Sequence, residues 1–464
     1  MPPKYHTQTA SAPNRFPAVT RSGVIAWEEG CLKCARCVKK ECVYKVYETR
    51  ALDERQMLDS LDSACQDCFR CVQNCPARLI QKGVNPTYRT IGDHYWTPEI
   101  LANIWSQAET GKIPVSGAGY GGPFSGPGFD AMWTDMSEIV RPTRDGIHGR
   151  EYISTTVDLG RKVMALQFDE QGEPTHPVPP LVEIPVPFIF DILPFSPPKR
   201  RILRAFLRAA TDLGTFVVVK ESEWLPLYER YLPNTILLLD RGPDARNDHL
   251  LDRMRMVEVP DNPAVTEWLE MLKEKKPDLL VAIRMPLTPA AAARIAELTR
   301  EGAEIIHLVA DEFGMEEADE PFFIKDRLKE VHLSLVDKGL RDQITIIAGG
   351  GIAMAEHMAK VIICGADAVS CDIPLLVAME CRVCRRCTQG IACPVELEEV
   401  DPAWGSRRIK NLMAGWHNQL LEIMGAMGMR EVRRLRGEMG RAMFFEDLER
   451  EFASLGARKT ETPQ

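Results

Sequence analysis

Between residue 186 and about residue 371 the chain alternates short, unbroken apolar runs with longer amphipathic stretches. The runs are FIFDI (188–192), TFVVV (215–219), TILLL (235–239), LLVAI (279–283), IIHLV (305–309), ITIIA (344–348) and AVSC (368–371). They read as parallel strands buried on both faces, because a strand covered by helices has no solvent side on which to alternate polar residues. Between them, RILRAFLRAATDLG, VTEWLEMLKEKK, PAAAARIAELTREG, IKDRLKEVHLSLVDKG and AMAEHMAKVIICG carry apolar residues at helical spacing. Several close on glycine, which accepts the left-handed backbone of a helix end. Seven strand–helix units predict an α/β fold. A (β/α)8 TIM-type barrel over 186–380, with one obscured strand, fits best; a doubly wound open sheet is the alternative.

The flanks read differently. Residues 1–25 look like a polar arm, and 26–95 hold eight cysteines. Residues 96–185 are rich in Gly and Pro and include PVSGAGYGGPFSGPGFDAMW. Little periodicity is visible there, but Tyr120, Phe124, Phe129 and Trp133 give the segment much to bury, so an ordered, draped loop is expected. Residues 381–464 hold a last cysteine group and a tail that reads as helical, SRRIKNLMAGWHNQLLEIMGAMG and then EVRRLRGEMGRAMFFEDLEREF. Its stripe of Met413, Leu420, Leu421, Met424 and Met427 reads as packing.

At 464 residues the chain has room for two or three domains. A net charge of −9, with the basic residues dispersed, gives no field for nucleic acid. Lys199, Arg200 and Arg201 form a local cluster that reads as solvated residues at a helix start. The most apolar stretch, 179–195, is broken by Pro180, Pro185, Pro187 and Pro194 and carries Glu183 and Asp191, so no membrane helix is expected. The first residues show no apolar signal core. With the cysteine spacing described next, that predicts a reducing, cytoplasmic setting.

Twelve of the fourteen cysteines fall into three groups of four. Cys31, Cys34, Cys37 and Cys42 form C-x2-C-x2-C-x4-C, and Cys65, Cys68, Cys71 and Cys75 form C-x2-C-x2-C-x3-C-P. Cys381, Cys384, Cys387 and Cys393 form C-x2-C-x2-C-x5-C-P. A short loop of this spacing can aim three thiolates at one iron–sulfur cube, and in two-cluster ferredoxins the fourth cysteine of each run ligates the other cluster. The expected metal ligands are therefore Cys31, Cys34, Cys37 and Cys75 for one 4Fe–4S cube, and Cys65, Cys68, Cys71 and Cys42 for a second. Zinc sites use pairs of cysteines instead. The third run follows the last barrel strand, on the face where barrel enzymes place their sites. Cys364 and Cys371 lie outside the runs and read as packed thiols.

Gly349, Gly350 and Gly351, after the strand ITIIA, have the place and composition of a barrel phosphate loop or of a plain tight turn. Asp145, His148 and Arg150, in RDGIHGRE, are candidates for a polar site or a loop network.

These features together resemble the archaeal-type glutamate synthase large subunit, an FMN-binding synthase domain fused to a two-cluster ferredoxin unit. The resemblance is carried by residues 114–155, by PFIFDILPFSPP (187–198), by the stretch GGGIAMAEHMAKVIICGADAVSCDIPLLVAMECRVCRRC (349–387), by ACPVE (392–396) and by the tail. It implies a barrel that binds FMN, with its phosphate at Gly349, Gly350 and Gly351, beside an iron–sulfur cluster. It also implies reduction of 2-iminoglutarate, formed from 2-oxoglutarate and ammonia, to glutamate. The implied partners are an amidotransferase-type subunit that supplies ammonia and a flavoprotein electron donor.

Departures from the family pattern lie at the flavin and substrate loops. FVVVKESEW (216–224) stands where the family has T-G-E-G-G, and RGPDARNDHLLDRMRMVEVPDNP (241–263) stands where it has a Gly- and Lys-rich loop. ADEFGMEEADEP (310–321) replaces D-G-G-T-G-A-S-P, Ser370 to Ile373 replace G-F-G-T, and Arg284 replaces a lysine. Glycines and a cation are lost, while Glu221, Glu223, Asp311, Glu312 and Asp372 add charge that repels a phosphate or 2-oxoglutarate. The family's third site is C-x5-C-x4-C and holds a 3Fe–4S cluster, whereas here Cys384 is an added thiolate that permits a 4Fe–4S cube. Three readings follow: an electron relay through three clusters in a larger redox complex, its barrel lacking a working flavin site; an active FMN-dependent glutamate synthase; or an FMN enzyme with a changed substrate.

Overall fold

The computed structural model describes residues 5–17, 19–26, 29–47, 65, 67–113, 126–134, 153–163, 165–175, 178–195, 200–244 and 248–458. In the cysteine-rich region, strand β1 (Ser22–Ala26) pairs antiparallel with β2 (Ile80–Val84), and a short helix α1 (Arg70–Asn74) lies between them in the chain. Helix α2 (Pro98–Thr110) follows. Thr97 caps its amino end by accepting from the Ile100 N–H, and Gly111 at φ +69° ends it. This helix falls where the sequence offered no periodicity, yet Ile100, Leu101, Ile104, Trp105 and Ala108 line one buried face. Short strands β3 (Met132–Thr134), β4 (Val157–Leu159) and β5 (Val182–Ile184) come next, and β4 and β5 pair antiparallel.

The barrel then runs in chain order: β6 (Phe188–Phe190), α3 (Arg200–Leu213), β7 (Val217–Lys220), β8 (Thr235–Leu238), α4 (Asp248–Leu251), β9 (Met256–Pro260), α5 (Val265–Lys275), β10 (Leu280–Pro286), α6 (Ala291–Arg300), β11 (Ile305–Val309), α7 (Ile324–Asp337), β12 (Thr345–Gly349), α8 (Ala355–Ile363), β13 (Ala368–Cys371) and α9 (Ile373–Ala378). All eight strands pair in parallel, and β13 returns to β6 to close the ring. The open-sheet alternative is thereby excluded. The strand hidden in the sequence is MVEVP, β9. Its central Glu258 made it read as loop, yet Glu258 is fully buried. Between β7 and β8 the connection is a 3-10 stretch, Pro226–Asn234, rather than an α-helix. The β4–β5 hairpin crosses the strand-start end of the barrel, where Thr345 Oγ1 donates to Gly160 O at 2.8 Å.

The tail is helical in part. Helix α10 (Pro402–Ala426), capped by Asp401, packs against α2, α3 and α8. Of the stripe, Met413, Leu420, Met424 and Met427 are buried and Leu421 is half-buried. Residues 428–444 differ from the helical reading: Gly428 and Gly437 take φ of +68° and +73°, and strand β14 (Ala442–Phe444) pairs with β3 before helix α11 (Phe445–Arg458).

The amino-terminal arm is docked along residues 10–16. Arg408 of α10, fully buried, donates to Ala12 O at 2.6 Å and to Trp105 O at 3.2 Å. Asn411 donates to Ala10 O at 2.8 Å. These backbone carbonyls and a buried guanidinium satisfy each other, so the polar arm completes the packing around α10.

Candidate functional site

Five barrel strands each send one polar side chain to the centre. Asp191 follows β6; Glu258, Arg284, His307 and Ser370 lie on β9, β10, β11 and β13. Arg284 holds Asp191 through two nitrogens, at 2.8 and 3.1 Å, and Glu258 at 3.0 Å. His307 Nδ1 lies 3.1 Å from Glu258 Oε2, and its Nε2 lies 2.8 Å from Ser370 Oγ, which in turn donates to Asp191 at 3.2 Å. Burial alone would raise the Asp191 carboxyl, but Arg284 and His307 outweigh it and hold it down to about 2. Burial works against the Arg284 cation too, and the two carboxylates more than restore it. The network satisfies itself: its one arginine is engaged by two carboxylates of its own chain.

At the strand-end mouth, the Gly349–Gly351 turn presses against the 310–314 loop. A Cβ on Gly349 would fall 1.9 Å from Ser370 Oγ, and one on Gly350 2.6 Å from the Ala310 and Asp311 carbonyls. Gly350 and Gly351 also have φ of +102° and +66°. Close backbone packing thus requires these glycines whether or not a phosphate approaches. The Tyr95 hydroxyl donates to Gly351 O, and Trp96 Nε1 donates to Glu312 O at 3.0 Å. Burial raises the Tyr95 hydroxyl pKa, and Asp130, Asp372 and Asp311 nearby raise it further. Asp372 caps α9 by accepting the Ile373 N–H. Burial pushes its carboxyl up to about 7 against the pull of that amide, with Asp191 and Glu312 adding to the rise. A phosphate dianion brought here would meet Asp130, Asp311 and Asp372, the last of which already occupies the α9 amino end. The residues of this turn therefore do not fit an FMN phosphate. Asp145, His148 and Arg150 lie outside the described residues.

Two of the three expected cysteine sets each line a common cavity, whereas Cys31, Cys34, Cys37 and Cys75 line neither of these cavities. Cys42, Cys65, Cys68 and Cys71 line one cavity together with Lys82 and Tyr47. Lys82, its side chain buried, donates to Cys65 Sγ at 2.9 Å. The Leu79 N–H donates to Cys75 Sγ at 3.3 Å. Cys381, Cys384, Cys387 and Cys393 line a second cavity, between the loop after β6 and the loop after α9. Burial pushes the Cys381 thiol up to about 12, the Val383 amide opposes this, and the other three sulfurs add to the rise. A lone buried thiolate is unfavourable there, and binding to iron would relieve that penalty. Among the described residues, no three His, Cys, Asp or Glu side chains converge on a point suited to a single metal ion. Cube ligands, by contrast, are spread around four irons.

The third run joins the cysteine-rich region to the barrel mouth. Arg385 pairs with Glu312 and with Asp93 (3.0 Å), and its guanidinium lies 5.1 and 5.2 Å from the Phe195 and Phe313 ring centres. The Gly92 N–H donates to Arg382 O at 2.8 Å. On the other leg, Glu380 accepts from the Arg15 N–H at 2.6 Å, the Arg15 guanidinium at 3.0 Å and the Phe16 N–H at 3.1 Å. Both chain segments flanking the β1–β2 ribbon thus reach this loop. Sequence reasoning missed Lys82, Tyr95 and the Glu258–His307 pair, although a lone acid and a lone histidine inside apolar strands were visible signals.

Residues 316–430 match the model for a conserved region in glutamate synthase. The chain is 27% identical to an archaeal-type NADPH glutamate synthase of Dehalococcoides mccartyi, over 88% of this chain and 92% of that protein. It is 26% identical to an archaeal NADPH glutamate synthase of Archaeoglobus fulgidus, over 91% and 94%. A Methanocaldococcus jannaschii counterpart is 24% identical over 99% and 98%. Nearly the whole chain is therefore similar to the archaeal-type glutamate synthases, as the sequence resemblance holds. Among solved structures, a mandelate oxidase mutant with a monooxide FMN adduct matches at TM-score 0.40 and 17% identity, over 60% of this chain and 86% of that one. A flavocytochrome b2 mutant with sulfite bound matches at 0.42 and 13%, over 69% and 81%. The barrel assignment rests on the strand pairing described above.

Proposed function

We propose that this chain is an iron–sulfur electron-carrying subunit of the glutamate-synthase-like family, acting in the cytoplasm within a larger redox complex, with its barrel serving as scaffold. Iron–sulfur clusters, when bound, supply one-electron transfer without proton or substrate chemistry. The residues that would hold them are Cys31, Cys34, Cys37 and Cys75, then Cys65, Cys68, Cys71 and Cys42, then the run Cys381–Cys393. The chain's own part is to fix these thiolates, shield the buried corners and connect the three sites. Arg15, Phe16 and Gly92 support that role, because they tie both legs of the β1–β2 ribbon to the third run.

The observation that carries this reading is the state of the barrel mouth. A flavin phosphate or a dicarboxylate substrate needs an uncommitted cation or an open helix amino end. Among the described residues, Arg284 is engaged by Asp191 and Glu258, Arg385 by Asp93 and Glu312, and Lys220 at the end of β7 lies near Glu223. Lys360 donates to Phe129 O, with Glu356 and Asp130 close by. The α9 end holds Asp372. Partners of matching role are other redox subunits, such as a flavoprotein donor or an amidotransferase-type subunit.

One observation favours a second reading, an FMN-dependent synthase making glutamate from 2-oxoglutarate and ammonia: the matched region 316–430 contains both the glycine turn and the third cysteine run. Denaturing anaerobically purified protein and assaying the supernatant for flavin fluorescence separates the two. The relay reading expects no flavin, and a stoichiometric flavin signal would overturn it.

A further inference from the structure

Ten non-glycine residues among those described have positive φ, and nine of them repeat one pattern at the three cysteine runs. The residue before the middle cysteine is left-handed in every run: Lys33 (φ +53°), Asp67 (+54°) and Val383 (+48°). The residue after it is too: Ala35 (+54°), Phe69 (+58°) and Arg385 (+53°). So is the residue three places beyond the fourth cysteine: Lys45 (+60°), Arg78 (+55°) and Glu396 (+45°). None of the nine is glycine, so each holds a backbone conformation that L side chains adopt only under strain. Left-handed residues set next to right-handed ones turn successive N–H groups to one side, forming the concave nest that accommodates anionic iron–sulfur cores. A strained form repeated around unrelated side chains, in two regions about 300 residues apart, is specified by what the loop encloses.

We infer that the third run is a ferredoxin-type half-module inserted after the last barrel strand, and that it holds a four-iron, four-sulfide cube in which Cys384 is a full ligand. Two independent observations meet at Cys384. Its flanking backbone matches that around Cys34 and Cys68, and its side chain lines the same cavity as Cys381, Cys387 and Cys393. The three-cysteine scheme of the family would leave Cys384 idle, although its side chain lines the cavity shared by the other three. The fourth cysteine differs in use from those of the first two runs. There, two neighbouring runs can exchange their fourth cysteines. Here no second run lines the cavity, and the longer x5 gap brings Cys393 back to its own loop.

This inference rests on the third run being a cluster site, which is part of the relay reading, but it does not require the absence of flavin. The test uses the full chain, purified anaerobically, with iron counting and with Mössbauer and EPR spectra before and after reduction. The wild type is expected to hold about twelve irons, with three four-iron signals. Cys384→Ala is expected to lose about one iron and to show a three-iron signal, with the other two clusters unchanged. Cys384→Ser is expected to keep the cube with an altered EPR signal. A wild type with about eleven irons and a three-iron signal, left unchanged by both variants, would overturn the inference. So would a wild type with about eight irons, an outcome that also removes the relay reading. Flavin found alongside an intact third cube would overturn only the relay reading. Unchanged signals from the two amino-terminal clusters serve as the folding control for each variant.

Discussion

Arg284 holds Asp191 through both guanidinium nitrogens, at 2.8 and 3.1 Å, inside a closed barrel. That bond decides how the barrel centre behaves. The only arginine of the central network neutralises carboxylates of its own chain, so anion recognition there would first have to break a buried pair. Arg284→Ala leaves Asp191 and Glu258 buried without a cation and should destabilise the protein by about 3–5 kcal/mol in denaturant unfolding. A barrel whose Arg284 serves an external anion would instead lose little stability.

Asp372 makes the barrel mouth sensitive to pH. Its carboxyl is raised to about 7 in the folded protein, from an ordinary value near 3.8. The associated stability is fully present below the unfolded value and is lost as pH rises through about 7. Asp372→Asn keeps a helix cap and removes the titration. The variant should match the wild type near pH 4 and exceed it at pH 8 by up to about 4 kcal/mol, read from paired denaturation curves. Equal stabilities at pH 8 would show that Asp372 is not held in a desolvated, acidic setting.

Lys82 lies in the cavity lined by Cys42, Cys65, Cys68 and Cys71, 2.9 Å from Cys65 Sγ. A buried cation that donates to a ligating sulfur favours the more negative, reduced state of its cluster. Lys82→Met should lower the potential of one cluster and leave the other two in place, as followed by EPR-monitored redox titration. A uniform shift of all three, or none, would contradict the assignment of that cavity.

The docked arm predicts a protective role. Glu380 is buried and is met by Arg15 and by two backbone N–H groups of the arm. Removing residues 1–16 should speed the loss of the third cluster in air, followed by visible absorbance and iron content, while the amino-terminal pair persists. Equal decay of all three clusters would mean that the arm does not shield this loop.

The barrel could be read from the sequence because buried parallel strands are apolar on both faces, and seven of the eight strands were. The eighth was obscured by Glu258, an acid that only its partners Arg284 and His307 make tolerable in a core. Helix α2 was obscured because its Gly- and Pro-rich surroundings masked a short apolar face. The tail was over-read as helix, since amphipathic spacing continues past Gly428 and Gly437 where the backbone turns. The grouping of the twelve cysteines into three runs is visible from spacing alone. The strained residues beside them are not, since Val383 and Arg385 carry no local preference for left-handed backbone. The filling of the mouth by Asp372 and Tyr95 also needed three dimensions, because Tyr95 comes from about 250 residues away in the chain to meet Gly351.

Counting electrons tests the central claim most directly. Anaerobic protein titrated coulometrically to full reduction should take up about three electrons per chain, one for each cube, with cluster EPR signals and no flavin bleaching. Uptake of about five electrons with a bleached flavin band would mean that the barrel carries a working flavin after all, and would contradict the account.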